Sequence, residues 1–388
     1  MKKAFTLFFL AIMAFALNAQ TTKTITWDGQ ERQYLEYVPT SYSQSEATPV
    51  LFMLHGMGDQ ANNFFQATRI QSIAEQKGWI VICPQALAFN VQTPIGSQNF
   101  GTCWNAGITV TVTMSIYGIP FDYDVAVNGS VDDEGFLMAT LESLGEEYNL
   151  DSDSLFFAGF SLGGFMSHRM AIQHGDIINS IAAVSGLVGN DMAPLTPVDN
   201  VNILQIFGTA DEMVSYDSAL IDLQSYGFCA TGLPVEETVE YWRAFNQCDE
   251  EALVEQYPDT HNDSLTFEMY SYPNGINDTR VAFIKVYNGK HNWYSGSTHD
   301  IDYNTEIVKF FTNTIDVTDV AETSQEALNV YPNPANDFII VGKETVSIYD
   351  LCGKLVMKGS GKIDVSALPE GMYFVKSKND CCKLIINR

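Results

Sequence analysis

The chain has 388 residues, of which 46% are hydrophobic, and its formal net charge at pH 7 is −27. This length and composition suit one large folded domain and a smaller one, and they exclude disorder of the whole chain. The negative charge argues against nucleic acid and densely charged acidic polysaccharides as ligands, because a polyanion would be repelled.

Residues 1–20 have the pattern of a secretory signal peptide. Two lysines stand near the start, an apolar run covers Phe5 to Leu17, and small residues before Gln20 give a cleavage pattern. That run is too short for a stable membrane span, and no later stretch is long enough. We therefore expect an exported, soluble protein with no membrane-spanning segment.

Strand-like and helix-like segments then alternate up to about residue 312. Several strands are continuous apolar runs, which predicts a parallel sheet covered by helices on both faces, an α/β fold. Residues 86–129 look irregular and too long for a simple connection, so they are a candidate binding loop. The main predicted strands are Pro49–Leu54, Trp79–Cys83, Leu155–Ala158, Ile181–Ser185, Ile203–Phe207 and Val281–Tyr287, and the helices cover about 61–77, 132–148, 161–174, 235–248 and 301–312.

The pattern changes near residue 320. Residues 313–326 are polar and unpatterned, and the rest of the chain loses the strong negative charge and shows only short strands with turns between them. We predict a signal peptide over 1–20, a large α/β domain over 21–312, a linker over 313–326 and a small all-β domain over 327–388.

The seven cysteines have no spacing typical of a metal site. Cys83, inside an apolar run, is predicted to be a buried free thiol. Export makes disulfides feasible, so Cys103, Cys229 and Cys248 could pair, with the connectivity left open.

Ser161 is the candidate nucleophile. It lies in the sequence Gly159-Phe-Ser-Leu-Gly163, between an apolar strand and a helix. A nucleophile elbow needs this context, because the turn is strained and leaves no room for neighbouring side chains. The alternative is an ordinary strand-to-helix turn. If Ser161 is the nucleophile, the Leu162 N–H at the helix start is one candidate oxyanion donor.

A serine needs a base and an orienting acid, which in a fold of this kind follow it in the order acid, then histidine. Asp211 comes just after the strand Ile203–Phe207, whereas the rivals Asp217 and Asp222 lie farther on. His291 follows the strand Val281–Tyr287 directly and is the predicted base.

Other histidines fit that role less well. His261 lies in a polar loop and reads as solvated, and His299 reads as a surface or capping residue. His55 precedes Ser161 and is predicted to order the loop Leu54-His-Gly-Met-Gly58, in which the Met57 N–H is the second candidate oxyanion donor.

Seven segments together resemble a known family. The resemblance covers about residues 32–312 and points to the α/β-hydrolases, within them to the polyhydroxybutyrate-depolymerase-like esterases that include feruloyl and acetylxylan esterases of carbohydrate esterase family 1. It implies a Ser161, Asp211 and His291 triad. Lys290 and Tyr294 depart from the family pattern, and the family's second cysteine after Cys248 is absent. The segments are Leu54–Met57, Cys103–Asn105, Val131–Phe136, Gly159–Gly163, Gly208–Asp211, Trp242–Cys248 and Gly289–Trp293.

The tail resembles the type IX secretion sorting domain of Bacteroidetes. That resemblance implies an immunoglobulin-like β-sandwich, recognised by the type IX secretion machinery, on a protein that is secreted or held at the cell surface. The alternative is an accessory carbohydrate-binding module, which the absence of tryptophan in the tail disfavours. The matching segments are Asn329–Pro334, Val346–Asp350, Gly353–Val356, Leu368–Phe374 and Lys383–Arg388.

These observations predict a secreted serine esterase that needs no metal or organic cofactor. The expected substrate is an ester-bearing extracellular polymer, with feruloyl esterase first and acetylxylan esterase or polyester depolymerase as alternatives. A non-catalytic surface binding protein on the same scaffold is the alternative of another class. Four aromatic residues are predicted to contact the substrate near the serine: Trp104, Phe160, Trp293 and Tyr294.

Overall fold

A computed structural model describes residues 20–93, 96–116, 119–222, 228–313, 330–341, 345–350, 354–377 and 381–387. They form two compact units, the first ending at residue 313 and the second beginning at residue 330. The predicted signal peptide, apart from residue 20, and the predicted linker beyond residue 313 lie outside the described residues.

The described part of the first unit contains strands of a large sheet, three small hairpins and six α-helices. The strands are β1 (Gln20–Trp27), β2 (Gln30–Tyr37), β3 (Thr48–Leu54), β4 (Ile80–Pro84), β5 (Ala88–Thr93), β6 (Gly96–Thr102), β7 (Thr109–Ile116), β8 (Ile119–Ala126), β9 (Leu150–Phe160), β10 (Ser180–Val184), β11 (Asn202–Gly208), β12 (Leu220–Asp222), β13 (Phe228–Ala230), β14 (Leu253–Gln256), β15 (Thr266–Tyr272) and β16 (Val281–Tyr287). The helices are α1 (Ala61–Thr68), α2 (Ile70–Lys77), α3 (Asp133–Glu147), α4 (Leu162–His174), α5 (Val235–Asn246) and α6 (Tyr303–Phe311).

Ten strands form one mixed sheet in the order β1-β2-β4-β3-β9-β10-β11-β16-β15-β14. The six strands from β4 to β16 are parallel, and antiparallel strands extend the sheet at both ends. Side chains alternate along β3, with Phe52 in the hydrophobic cluster on one face and Leu51 and Met53 in the cluster on the other. The predicted α/β fold with two covered faces is confirmed, and the carboxyl ends of the parallel strands meet at one edge.

The stretch 86–129 differs from the prediction of an irregular loop. It holds two antiparallel hairpins, β5–β6 and β7–β8, outside the main sheet. Their strands lack the continuous apolar runs that identified the strands of the main sheet: β6 is mostly glycine and polar residues, and polar and apolar residues alternate along β7.

A buried ion pair joins the beginning of the first unit to α3. An Arg32 guanidinium nitrogen lies 2.6 Å from Asp133 Oδ1, and both side chains are almost fully buried. The guanidinium also lies over the Phe136 ring, 4.0 Å from its centroid. Asp133 Oδ2 accepts a 2.7 Å hydrogen bond from the Asn105 N–H, so this carboxylate also fixes the segment after β6.

Replacing Asp133 by asparagine should lower the free energy of unfolding by about 3–5 kcal/mol, because Arg32 would stay buried without an anionic partner. Urea unfolding followed by tryptophan fluorescence measures this, since all five tryptophans lie in the first unit. The double variant Arg32→Met/Asp133→Leu removes both charges, so it should lower the free energy of unfolding by less than the single variant does. A single variant as stable as the double variant would contradict the role assigned to the ion pair.

The described cysteine side chains Cys83, Cys103 and Cys248 are all buried and free. The prediction for Cys83 is therefore confirmed, whereas Cys103 and Cys248 form no disulfide. Burial raises the pKa of Cys103 to about 12, so it remains a protonated thiol. The side chain of Cys229 lies outside the described residues.

The second unit is all-β in its described part. It contains a four-stranded sheet and a separate pair of strands around a small apolar core. The all-β prediction is confirmed, and the immunoglobulin-like topology stays a prediction. These strands are β17 (Phe338–Ile340), β18 (Val346–Tyr349), β19 (Leu355–Gly359), β20 (Lys362–Asp364), β21 (Gly371–Lys376) and β22 (Cys381–Ile386). The sheet has the order β19-β18-β21-β22, and the separate pair is β17–β20.

Candidate active site

Ser161 stands on a sharp turn between β9 and α4, at the carboxyl edge of the sheet. Its backbone has φ 54° and ψ −122°, a conformation rarely adopted by a residue with a side chain. The Ser161 N–H donates to the Val184 carbonyl at 2.8 Å, and its own carbonyl accepts from the Gly164 N–H at 2.8 Å. Such a strained residue marks a candidate functional site, and here its side chain is half-buried at the start of a helix.

The glycines on either side of Ser161 allow this turn to form. A Cβ atom on Gly159 would lie 2.1 Å from the Gly163 carbonyl oxygen, and one on Gly163 would lie 2.0 Å from the Leu54 carbonyl oxygen. Both contacts involve backbone atoms, which cannot move aside as a flexible side chain could. The glycines are therefore needed to bring β9, α4 and the end of β3 together.

Asp211 and His291 meet in the structure. Asp211 Oδ2 lies 2.8 Å from His291 Nδ1, and its other oxygen accepts hydrogen bonds from the N–H groups of Met213 and Val214, both at 2.9 Å. The carboxylate is fully buried and the imidazole mostly so. Since a carboxylate only accepts hydrogen bonds, the proton of the neutral imidazole lies on Nδ1, and Nε2 carries the lone pair of a base.

Two glycines, whose packing role the sequence analysis did not assign, bring these side chains together. A Cβ on Gly208, at the end of β11, would lie 2.2 Å from the carbonyl oxygen of Gly289, which follows β16. The Ala210 N–H donates to the same carbonyl at 2.9 Å. The two loops therefore pack backbone to backbone, which places Asp211 beside His291. The signal in the sequence was a glycine just after each of two adjacent strands.

The His291 ring lies beside the turn that carries Ser161. Its centroid is 4.8 Å from that of Phe160, the residue immediately before Ser161. In the described part of the chain, however, no hydrogen bond joins the Ser161 hydroxyl to His291. Catalytic hydrogen bonds in unliganded enzymes are often long and tighten only when the substrate binds.

The structure pairs the two rival histidines with other carboxylates. His261 Nδ1 lies 2.9 Å from Asp300 Oδ1, and His299 Nδ1 lies 2.5 Å from Asp263 Oδ2. His261 is exposed, as predicted, but it is also paired with Asp300, a contact that raises the pKa of His261. These crossed pairs connect the loop after β14 to the loop before α6. The rival acid Asp217 is exposed, and the side chain of Asp222 lies outside the described residues.

Both predicted oxyanion donors belong to segments that adjoin Ser161 in the structure. Leu162 is the first residue of α4, where the N–H has no acceptor within the helix. A Cβ on Gly56 would lie 3.4 Å from the Ser161 Cβ, so the loop after β3 packs against the serine. The next residue is Met57, whose N–H makes no backbone hydrogen bond in the described part of the chain.

Two of the four aromatic residues predicted to contact the substrate are buried elsewhere. Trp104 is fully buried, and its Nε1–H donates to the His55 carbonyl at 2.8 Å. Tyr294 is in the core, where its hydroxyl accepts a 3.2 Å hydrogen bond from the Lys290 N–H. Neither ring can present a face to a ligand, so these two predictions are corrected to supporting roles. Phe160 and Trp293 are partly exposed and pack edge to face, 6.5 Å apart.

No group of three or more His, Cys, Asp or Glu side chains comes together as a metal site within the described ranges. Within the same ranges, no helix is both long and apolar enough to cross a membrane.

A parallel sheet with a serine on a strained strand-to-helix turn, and with a later Asp–His pair at the same edge, defines an α/β-hydrolase. The family described as "Putative esterase" matches residues 28–225, just over half of the chain, and the chain belongs to this family. The predicted esterase resemblance is thus confirmed at the level of the family.

Relatives and solved structures are similar at low identity. "Putative esterase NocK" of Nocardia uniformis subsp. tsuyamanensis is 25% identical over 71% of this chain and 75% of its own length. "Feruloyl esterase B" of Neurospora crassa is 27% identical over 39% of this chain and 42% of its own length, so the chain spans less than half of that relative. The structure titled "Acetyl xylan esterase from Aspergillus awamori" is 13% identical, with a TM-score of 0.47, over 75% of this chain and 98% of that one.

The C-terminal residues 329–387 match the family described as "Secretion system C-terminal sorting domain". The predicted sorting domain is confirmed, and its presence supports export to the cell surface or beyond by the type IX machinery.

Proposed function

We propose that this esterase is a serine carboxylic-ester hydrolase in which Ser161, His291 and Asp211 form the catalytic triad. The observation that carries the proposal is the hydrogen-bonded Asp211–His291 pair beside the strained turn of Ser161. A modest movement of the His291 loop or a rotation of the serine side chain, on substrate binding, completes the hydrogen bond between base and nucleophile.

The reaction is acyl transfer in two steps. His291 Nε2 takes the Ser161 proton while Oγ attacks the ester carbonyl, and the N–H groups of Leu162 and Met57 stabilise the oxyanion. The protonated imidazole gives its proton to the leaving alcohol as the ester C–O bond breaks. Water, deprotonated by the same imidazole, then attacks the acyl-enzyme, releases the acid and returns the proton to Ser161. Asp211 stabilises the imidazolium formed in each step.

We assign feruloyl esters of plant cell-wall polysaccharide as the substrate. Phe160 and Trp293 supply partly exposed aromatic surfaces beside His291, which suit a hydroxycinnamoyl ring better than an acetyl group. Several relatives carry the name feruloyl esterase, and others that of acetylxylan esterase. Export to the cell exterior agrees with a polymeric substrate.

We propose that residues 1–20 are a signal peptide for the Sec pathway, used before the type IX step.

Two esters with one leaving group test the acyl preference. The value of kcat/KM for 4-nitrophenyl ferulate should exceed that for 4-nitrophenyl acetate by about fivefold or more, since an aromatic contact is worth about 1 kcal/mol beyond its buried area. Phe160→Leu should reduce the ferulate value and leave the acetate value nearly unchanged. Equal reduction of both values would contradict an acyl-binding role for Phe160.

Natural polymers separate the remaining alternatives. Feruloylated arabinoxylan, acetylated xylan and polyhydroxybutyrate should be incubated with the enzyme, and the released acids measured. We expect ferulate to be released fastest. Faster release of acetate, or of hydroxybutyrate, would replace the substrate assignment by acetylxylan esterase or by polyester depolymerase.

A further inference from the structure

The peptide group between Gly56 and Met57 is held from its buried side. Its carbonyl oxygen, on Gly56, lies 2.7 Å from His55 Nδ1. In a trans peptide the carbonyl and the N–H point in opposite directions. Fixing the Gly56 oxygen therefore also fixes the direction of the Met57 N–H, on the side away from the His55 ring.

The tautomer of His55 follows from its other contact. The Ala86 N–H donates to His55 Nε2 at 3.2 Å, so this nitrogen is an acceptor and Nδ1 carries the proton. Nδ1 then donates to the Gly56 carbonyl. The ring is fully buried, and this burial lowers the pKa of His55, which keeps the imidazole neutral.

Trp104 holds the peptide group between His55 and Gly56, which precedes the Gly56–Met57 peptide. Its indole N–H donates to the His55 carbonyl at 2.8 Å, and the two rings pack with centroids 5.1 Å apart. The next residue, Asn105, is held in turn by the buried Asp133 through a 2.7 Å hydrogen bond. A continuous set of buried contacts thus runs from the Arg32–Asp133 ion pair to the loop beside Ser161.

We propose that Trp104 and His55 are positioning residues that aim the Met57 N–H at the oxyanion. Neither touches the substrate, and both act through the backbone of residues 55–57. This proposal rests on the proposed esterase function, because it concerns a charge that forms only during ester cleavage. Preorganised donors of this kind act in the transition state and not on the bound substrate.

Trp104→Phe tests the proposal, with Trp242→Phe as the matched control. Trp242 is equally buried and donates from its indole to His168, but it belongs to α5 and is not near the oxyanion loop. We expect Trp104→Phe to lower kcat about tenfold, and KM to change less than twofold. The expected loss of kcat is smaller than the 10²–10³-fold loss for removing an oxyanion donor, because the Met57 N–H remains but is less well held. Trp242→Phe should leave kcat nearly unchanged. Equal losses of kcat in the two variants, or a loss expressed in KM, would overturn the proposal.

A pair of His55 variants provides the second test, which remains informative if Trp104→Phe folds poorly. Asparagine can place its amide N–H where Nδ1 stood and so keep the bond to the Gly56 carbonyl. Glutamine reaches the position of Nε2 instead and loses that bond. We expect kcat of His55→Asn to exceed kcat of His55→Gln by about fivefold or more. This ratio is smaller than the 10²–10³-fold loss of kcat that follows complete removal of one oxyanion donor. The reverse order would overturn the assignment.

Amide hydrogen exchange separates failure of this proposal from failure of the esterase function. Exchange across residues 55–59 should be faster in Trp104→Phe than in Trp242→Phe or the wild-type chain. Unchanged exchange refutes the positioning role even if the enzyme is an esterase. A wild-type chain that hydrolyses no ester refutes the proposed function itself, and with it any role in catalysis for Trp104 and His55.

Discussion

Replacing Ser161 by alanine should reduce kcat for 4-nitrophenyl esters by about 10⁵-fold, because the variant lacks the oxygen that forms the acyl-enzyme. Alanine keeps the Cβ atom, so the backbone strain at φ 54° is unchanged and the melting temperature should stay close to that of the wild type. Steady-state kinetics and thermal unfolding, measured on the same preparation, check both parts of this prediction.

Covalent labelling gives an independent measure of the same role. A fluorophosphonate should modify the wild-type chain at one site, Ser161, and should not modify the alanine variant. Ser167 is the matched control, because it lies on the same helix and its buried hydroxyl donates to the Gly163 carbonyl at 2.9 Å. We expect Ser167→Ala to keep turnover and labelling. Ester binding without turnover or labelling in the wild type would instead favour a non-catalytic binding protein.

The parts of the fold and site that could be predicted are those with a local signal. The strands of the parallel sheet are continuous apolar runs because both faces are covered, and Pro49–Leu54 matches β3 to within a residue. Ser161 was identified because its turn requires glycines at positions 159 and 163, and this requirement is visible in the sequence. Asp211 and His291 each follow an apolar strand closely, so the order of strands was enough to bring them to one edge.

The parts that could not be predicted depend on contacts between distant residues. Asp300 is 39 residues from His261, and no local sequence pattern predicts that these two side chains form a pair. Trp104 was predicted to contact the substrate, yet it is fully buried and donates a hydrogen bond to His55, 49 residues away. The hairpins in residues 88–126 were missed because their strands contain no long continuous apolar run and pair with each other outside the main sheet.

Asp211→Asn should lower kcat by about 10⁴-fold while leaving the fold intact, because it puts the His291 proton on the wrong nitrogen. Asp211 Oδ1 accepts two backbone N–H groups, from Met213 and Val214, and only an oxygen can satisfy both. The asparagine must therefore keep its oxygen there and turn its NH₂ group toward His291 Nδ1. That nitrogen becomes the acceptor, and the proton moves to Nε2.

Nitrogen NMR of labelled histidine measures this tautomer directly. In the wild type we expect the His291 proton on Nδ1, and in Asp211→Asn on Nε2, together with the loss of kcat. Glu212→Gln is a suitable control, since Glu212 is an exposed neighbour that pairs with the exposed Lys290 at 3.6 Å, and its replacement should change neither tautomer nor turnover. An asparagine variant that retains the Nδ1 proton and most of its activity would remove Asp211 from the triad. Because the carboxylate is held by two fixed donors, the tautomer of the base is determined by the backbone of the loop after β11 as much as by Asp211 itself.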